Sequence, residues 1–155
     1  MDELSKEIEE RIKMIYNDCW LTYKKYLESY DMVQYEENIC ELQKKYHNEE
    51  FLEDILYGFK RMLNILQESG GKNREIEERI KSIYNDCWAM YKEYLGDHNM
   101  SQYNRRVCEL KEKYLDEEFM KDILYGFIKK LNVLQTRYLM AKDGRIGYKV
   151  VGKGE

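Results

Sequence analysis

Apolar side chains recur at steps of three and four residues through most of this chain. Ile8, Ile12, Ile15, Cys19, Tyr23 and Tyr26 keep that spacing, the period of an α-helix. Tyr16, Trp20 and Leu27 widen the stripe on one side. The first predicted helix, residues 4–27, therefore needs more than one packing neighbour. Asn17 and Asp18 fall on its opposite, solvated side. The pattern breaks at Ser29, Tyr30 and Asp31. Asp31 with Gln34 three positions on is a capping-box signature. It opens a second helix over residues 32–46, whose face is Met32, Tyr35, Ile39, Leu42 and Tyr46. Asn48 is expected to cap a third helix over residues 49–67. Glu49 and Glu50 in its first turn suit the helix dipole. Phe51, Leu52, Ile55, Leu56, Phe59, Leu63 and Leu66 fill its apolar side.

The same order then repeats. Residues 7–67 match residues 75–135 at a constant offset of 68, without a gap and with about two thirds of positions identical. Residues 7–20 differ from 75–88 only in Met14 for Ser82. A self-match of this length reads as a tandem duplication. The second copy predicts helices over residues 74–95, 100–114 and 117–139, with Asn73, Asn99 and Asp116 as caps. The domain reading is a three-helix repeat at 1–68, a linker at 69–73, a second repeat at 74–141 and a tail at 142–155. Gly70 or Gly71 can supply the left-handed cap of the third helix. So short a linker favours repeats packed on one another.

One repeat of roughly 60 residues sits near the lower limit for a self-sufficient core. Fusing two copies makes their association intramolecular at high effective concentration. The expected fold is all-α: a six-helix bundle of two three-helix units about a pseudo-two-fold axis, the symmetry of an isologous dimer. The first and third helices of each unit should supply most of the seam. The alternative is a short solenoid with the repeats stacked in translation. Gly58 and Gly126 interrupt the third helix of each copy. A glycine inside a helix costs about 1 kcal/mol against alanine, so close approach of another helix or a large aromatic should offset it. Trp20 and Trp88 lie at the edge of the first-helix stripe. With Tyr16 and Tyr84, they are expected to pack on those glycines or to line the seam.

The tail has no counterpart in the first repeat, and Asp143-Gly144 is a turn signal. The sixth helix is expected to run through Met140 and stop at Gly144, leaving residues 146–151 as a short extended strand. The alternative is a hairpin pairing residues 137–142 with 145–150.

Composition narrows this reading. Proline is absent and charged residues make up 36%, which suits long helices with solvated faces. The mean hydropathy of −0.81 alone would suggest disorder. The 15 tyrosines, 4 phenylalanines and 2 tryptophans argue for a packed core, since disordered chains are poor in aromatics. No apolar run approaches the ~20 residues of a membrane span, and the first residues lack the pattern of a signal peptide. The expectation is a cytoplasmic protein with no membrane partner and with reduced cysteines. Charge is uneven. Residues 1–68 carry 9 basic and 16 acidic side chains, residues 69–136 carry 12 of each, and residues 137–155 carry 5 basic and 2 acidic. Such a gradient can orient a partner or a second copy.

Catalytic chemistry finds little support. Cys19, Cys40, Cys87 and Cys108 form no Cys-x-x-Cys pair and read as small core residues. His47 and His98 correspond to Leu115 and Tyr30, so no histidine serves both repeats. Phosphate-cradling and nucleophile-elbow patterns do not occur. The expectation is a non-enzymatic protein-interaction or regulatory module without cofactor or metal, the full chain a monomer. Positions that differ between repeats should carry specificity: Arg105 and Arg106 against Glu37 and Asn38, and Lys130 against Met62, with Arg145 and Lys149 from the tail. One alternative is a small-ligand binder with an aromatic pocket between the first and third helices. Another is a nucleic-acid-associated protein using the basic second repeat and tail, which the pI near 5.4 supports weakly.

Overall fold

A computed structural model describes residues 2–144. Among these residues the fold is all-helical, with six helices and no strand. The helices are α1 (Glu3–Ser29), α2 (Met32–Lys45), α3 (Glu50–Glu68), α4 (Arg74–Asp97), α5 (Met100–Lys113) and α6 (Glu118–Lys142). Residues 137–142 belong to α6, which removes the hairpin alternative. The expected strand at 146–151 lies outside the described residues, as do Arg145 and Lys149.

The helix starts follow local chemistry. Asp31, Asn73 and Asn99 each accept a hydrogen bond from the backbone amide three residues on, at Gln34, Ile76 and Gln102. This is N-capping, which satisfies an amide the helix leaves unpaired. Only half of the capping box forms after Asp31, because the Gln34 side chain turns away and donates through its Nε2 to the Asn38 Oδ1. Asp2 caps α1 through the Ser5 amide at 2.9 Å and also receives the Arg137 guanidinium at 2.9 Å. That pair fastens the start of α1 to the last turns of α6.

Two expected caps are corrected. Asn48 and Asp116 do not cap α3 and α6; the N-cap residues are Glu49 and Glu117, without a side-chain cap bond. Asn48 and Asp116 instead follow His47 and Leu115 in a two-residue left-handed turn, with φ of 54–55° at all four. Asn and Asp tolerate that conformation better than most residues, so the same side chains suit either role. The turn also satisfies the end of the preceding helix, where the Asn48 amide donates to the Gln43 carbonyl and the Asp116 amide to that of Lys111. The Glu49 carboxylate is drawn away to Arg11 at 2.6 Å and Lys130 at 3.2 Å.

The most extensive helix–helix contact is between α3 and α6. They run antiparallel: Gly58 meets Asp122 while Gly126 meets Asp54. A Cβ built on Gly58 would lie 3.1 Å from the Asp122 Cβ, and one on Gly126 3.2 Å from the Asp54 Cβ. Each glycine therefore lets the other helix's backbone approach, which offsets its low helix propensity. Arg61 closes one end of the crossing on Asp122 and Glu118, and Lys129 closes the other on Asp54 and Glu50. α1 packs on α2 and on α3, and α4 packs on α5 and on α6. α2 has no comparable contact with α3, and the two helices stand apart across a groove.

Candidate functional site: an aromatic junction and an open groove

Four rings stack where α1 meets α4. Tyr16 and Tyr84 lie face to face, centroids 3.8 Å apart and planes within 2°. Trp88 covers the outer face of Tyr16, and Trp20 that of Tyr84, each at 5.2 Å. Phe59 of α3 and Phe127 of α6 tilt against the stack. Each tyrosine hydroxyl donates to the backbone carbonyl of the other, both at 2.6 Å. Every polar atom the two phenols bring inside is thereby paired, as burial requires. Trp20 and Trp88 therefore pack on the tyrosines, while the α3–α6 crossing provides the neighbours of Gly58 and Gly126.

The electrostatics of this junction suit packing better than catalysis. Burial pushes the Tyr16 and Tyr84 phenols well above their ordinary pKa. Burial likewise pushes up the thiols of Cys19 and Cys87, which keeps them protonated and poorly nucleophilic. Tyr23 and Tyr91 are fully buried, and their hydroxyls find no hydrogen-bond partner among the described residues. Among the described residues no group of three or more His, Cys, Asp or Glu side chains is placed to hold a metal ion. Among the described residues no helix is long and apolar enough to cross a membrane.

A second polar constellation ties α2 to α1. The Tyr46 hydroxyl donates to Asp18 at 2.6 Å, and Lys45 pairs with the same carboxylate at 3.0 Å. Tyr114 and Lys113 engage Asp86 in the same way, at 2.6 and 2.9 Å. Asp18 is thus half-buried and hydrogen-bonded, where the helical pattern placed it on a solvated side. Burial, with the Asp18 carboxylate adding to it, pushes the Tyr46 phenol up to about 12.

The groove between α2 and α3 encloses about 810 Å³. Met32 and Ile39 line it from α2, Leu56 and Leu63 from α3. Tyr57, 55% exposed, stands at its edge. Its acidic side chains are Glu36, Glu53 and Asp54, and Lys60 is its one cation among the lining residues. Asp54 is paired with Lys129, and Glu53 accepts from Gln43. Cys40 lines the groove and is exposed, as is Cys108 on α5. These two thiols are not the small core residues expected of them; only Cys19 and Cys87 are buried.

The cationic positions singled out by comparing the repeats are partly occupied. Arg106 is held by Glu93 at 3.1 Å and Glu109 at 3.2 Å. Arg105 is exposed and donates to Gln102. Lys130 pairs with Glu49, while its counterpart Met62 is buried. The sequence pattern does not disclose the groove, because the stripe of α2 has the form of a single apolar face. Only Tyr35 and Leu42 of α2 are buried, and Met32 and Ile39 remain half-covered.

Comparison with known families, curated proteins and solved structures found no match to this chain.

Proposed function

We propose that this protein is a non-enzymatic interaction module, built as a fused pseudo-dimer of two three-helix units, whose α2–α3 groove receives a segment of a protein partner. The observation that carries the reading is the groove itself: an open concave surface with an apolar floor, a half-exposed tyrosine and an acidic rim. Concave apolar surfaces with a few polar groups are the usual form of a recognition site. A helix laid between two others is a recurring mode of peptide capture.

The pseudo-two-fold part of the proposal rests on reciprocity. Tyr16 and Tyr84 exchange equivalent hydrogen bonds. Gly58 against Asp122 pairs with Gly126 against Asp54. Arg61 on Glu118 and Asp122 pairs with Lys129 on Glu50 and Asp54. Contacts that exchange equivalent residues are what an isologous interface produces. The small-ligand alternative has less support, because the rings and glycines that would frame its pocket lie in direct contact with their neighbours. The nucleic-acid alternative is weakened by the engagement of Arg106 and Lys130 with carboxylates.

The test is a display selection of short amphipathic peptides on the full chain, repeated on Ile39→Glu and on Val107→Glu at the corresponding α5 position. Peptides lost with Ile39→Glu and retained with Val107→Glu are expected. Failure to enrich peptides, or indifference to Ile39→Glu, refutes the groove.

A further inference from the structure

The occupant of the α2–α3 groove need not come from another protein. We propose that it docks the C-terminal segment, residues 145–155, of a neighbouring copy of this chain, giving a weak, salt-sensitive association between copies. This rests on the reading of the groove as a recognition surface.

The segment fits by charge and by apolar content. It carries Arg145, Lys149 and Lys153, with Ile146, Tyr148 and Val150 between them. The groove offers Glu36 and Glu53 above Met32, Ile39, Leu56 and Leu63. The corresponding positions of the second half hold Asn104 and Lys121 in place of Glu36 and Glu53. A cationic segment is therefore attracted to the first-half groove and not to its counterpart. Long-range charge acts in the same direction. Residues 1–68 carry a net −7, and residues 137–155 a net +3. Complementary fields of this kind favour encounter and register.

Reach decides whose groove is filled. α6 runs antiparallel to α3, with Gly126 beside Asp54 at one end of the groove. The described chain ends at Gly144, after a further 18 residues carrying it away from the groove, roughly 27 Å of helix. Eleven more residues span at most roughly 36–40 Å fully extended. Doubling back would use about 27 Å of that length to reach the near end alone, and the roughly 9–13 Å left would not run along a groove whose α3 wall, from Glu53 to Gln67, is about 21 Å long. A second copy imposes no such limit.

Cys40 and Cys108 supply the test, since Cys40 lines the groove and both are exposed. The full chain carrying Cys108→Ser is treated with a thiol-reactive dye at increasing protein concentration. With a dissociation constant on the order of 100 µM, and grooves and tails at equal concentration, mass action leaves about a third of the grooves open at about 500 µM and slows Cys40 modification about threefold. In the Cys40→Ser chain, Cys108 should react at an unchanged rate. The full chain with Arg145→Glu, Lys149→Glu and Lys153→Glu should lose the protection, as should the unmutated tail at high salt. A Cys40 rate independent of concentration, or protection that survives the charge reversal, overturns the proposal. Protection by the Ile39-sensitive peptides without protection by the tail would remove the tail docking and leave the groove reading standing. If neither protects Cys40, both fall.

Discussion

α3 presents two neighbouring faces of opposite character. One face meets α6 across Gly58, close enough that a single added methyl group would press on the Asp122 Cβ. The other meets α2 across a groove about 810 Å³ in volume, with Tyr57, Lys60 and Asn64 among its lining. The difference lies in what the two partner helices bring. α6 brings a glycine of its own, an opposed ion pair at each end, and phenylalanines that fill the space between. α2 brings only two buried side chains, Tyr35 and Leu42, and Tyr35 packs edge-on against Tyr26 of α1. Apolar residues on a helix therefore do not by themselves close an interface. At the α3–α6 crossing a glycine from each helix sets the short distance between the axes.

Substitutions can break the closed contacts and should spare the open one. The largest effect is expected from Tyr84→Ala, which removes the stacking partner of both Tyr16 and Trp20 and the donor to the Tyr16 carbonyl. Truncating a buried aromatic to alanine costs about 3–5 kcal/mol, and urea unfolding of the full chain would measure it. A loss below about 1 kcal/mol would mean that the junction does not hold the protein together.

Alkaline titration should follow. In the unfolded chain tyrosines ionise near pH 10. In the folded chain burial raises Tyr16, Tyr84, Tyr23 and Tyr91 above that, and Tyr46 up to about 12. Between those values the folded state holds the protons and the unfolded state has released them, so stability falls as pH rises. Stability should be nearly flat in this respect below about pH 9 and should drop steeply above about pH 10. Thermal unfolding across that range gives the answer. A chain equally stable at both ends of it would contradict the burial of these phenols.

Gly58→Ala comes next. The helix-propensity gain of about 1 kcal/mol opposes an overpacking cost of about 1–3 kcal/mol, because the obstructing atom sits next to the α6 backbone. A net loss on the order of 1 kcal/mol is expected, and a stabilised variant would show that the α3–α6 distance is soft. Leu115→Gly should act in the other direction. Leu115 is exposed and holds φ of 54°, so relieving that strain should raise stability by about 1 kcal/mol. Ile39→Ala in the groove should change stability least, by about 0.5 kcal/mol or less, while impairing peptide binding.

The contrast between the two faces also marks how much the residues disclosed in advance. The six helices, their order, and the caps at Asp31, Asn73 and Asn99 follow from short-range rules of spacing and capping, which act within a turn or two. Asn48 and Asp116 obey those rules equally well in two roles, and only the path of the chain between α2 and α3 selects the left-handed one. The glycine pair announced a close approach, but the identity of the approaching atom, the Asp122 Cβ, depends on a helix 64 residues away in the chain. Lys130 read as a surface charge because its partner, Glu49, lies across the fold. The groove was hardest to foresee, since half-covered residues such as Met32 and Ile39 have the same sequence signature as core residues. Tertiary placement alone distinguishes them.

The four-ring stack has an optical consequence. Both tryptophans of the chain sit in it, each against a tyrosine held at 5.2 Å. Indole emission, excited beyond the tyrosine absorption band, therefore reports on one place only, the meeting of α1 with α4. A spectrum recorded during unfolding would follow the parting of those two helices, and the backbone signal near 222 nm would follow all six. Should the two curves separate, the order in which they move would reveal whether the chain comes apart at its middle before its helices melt.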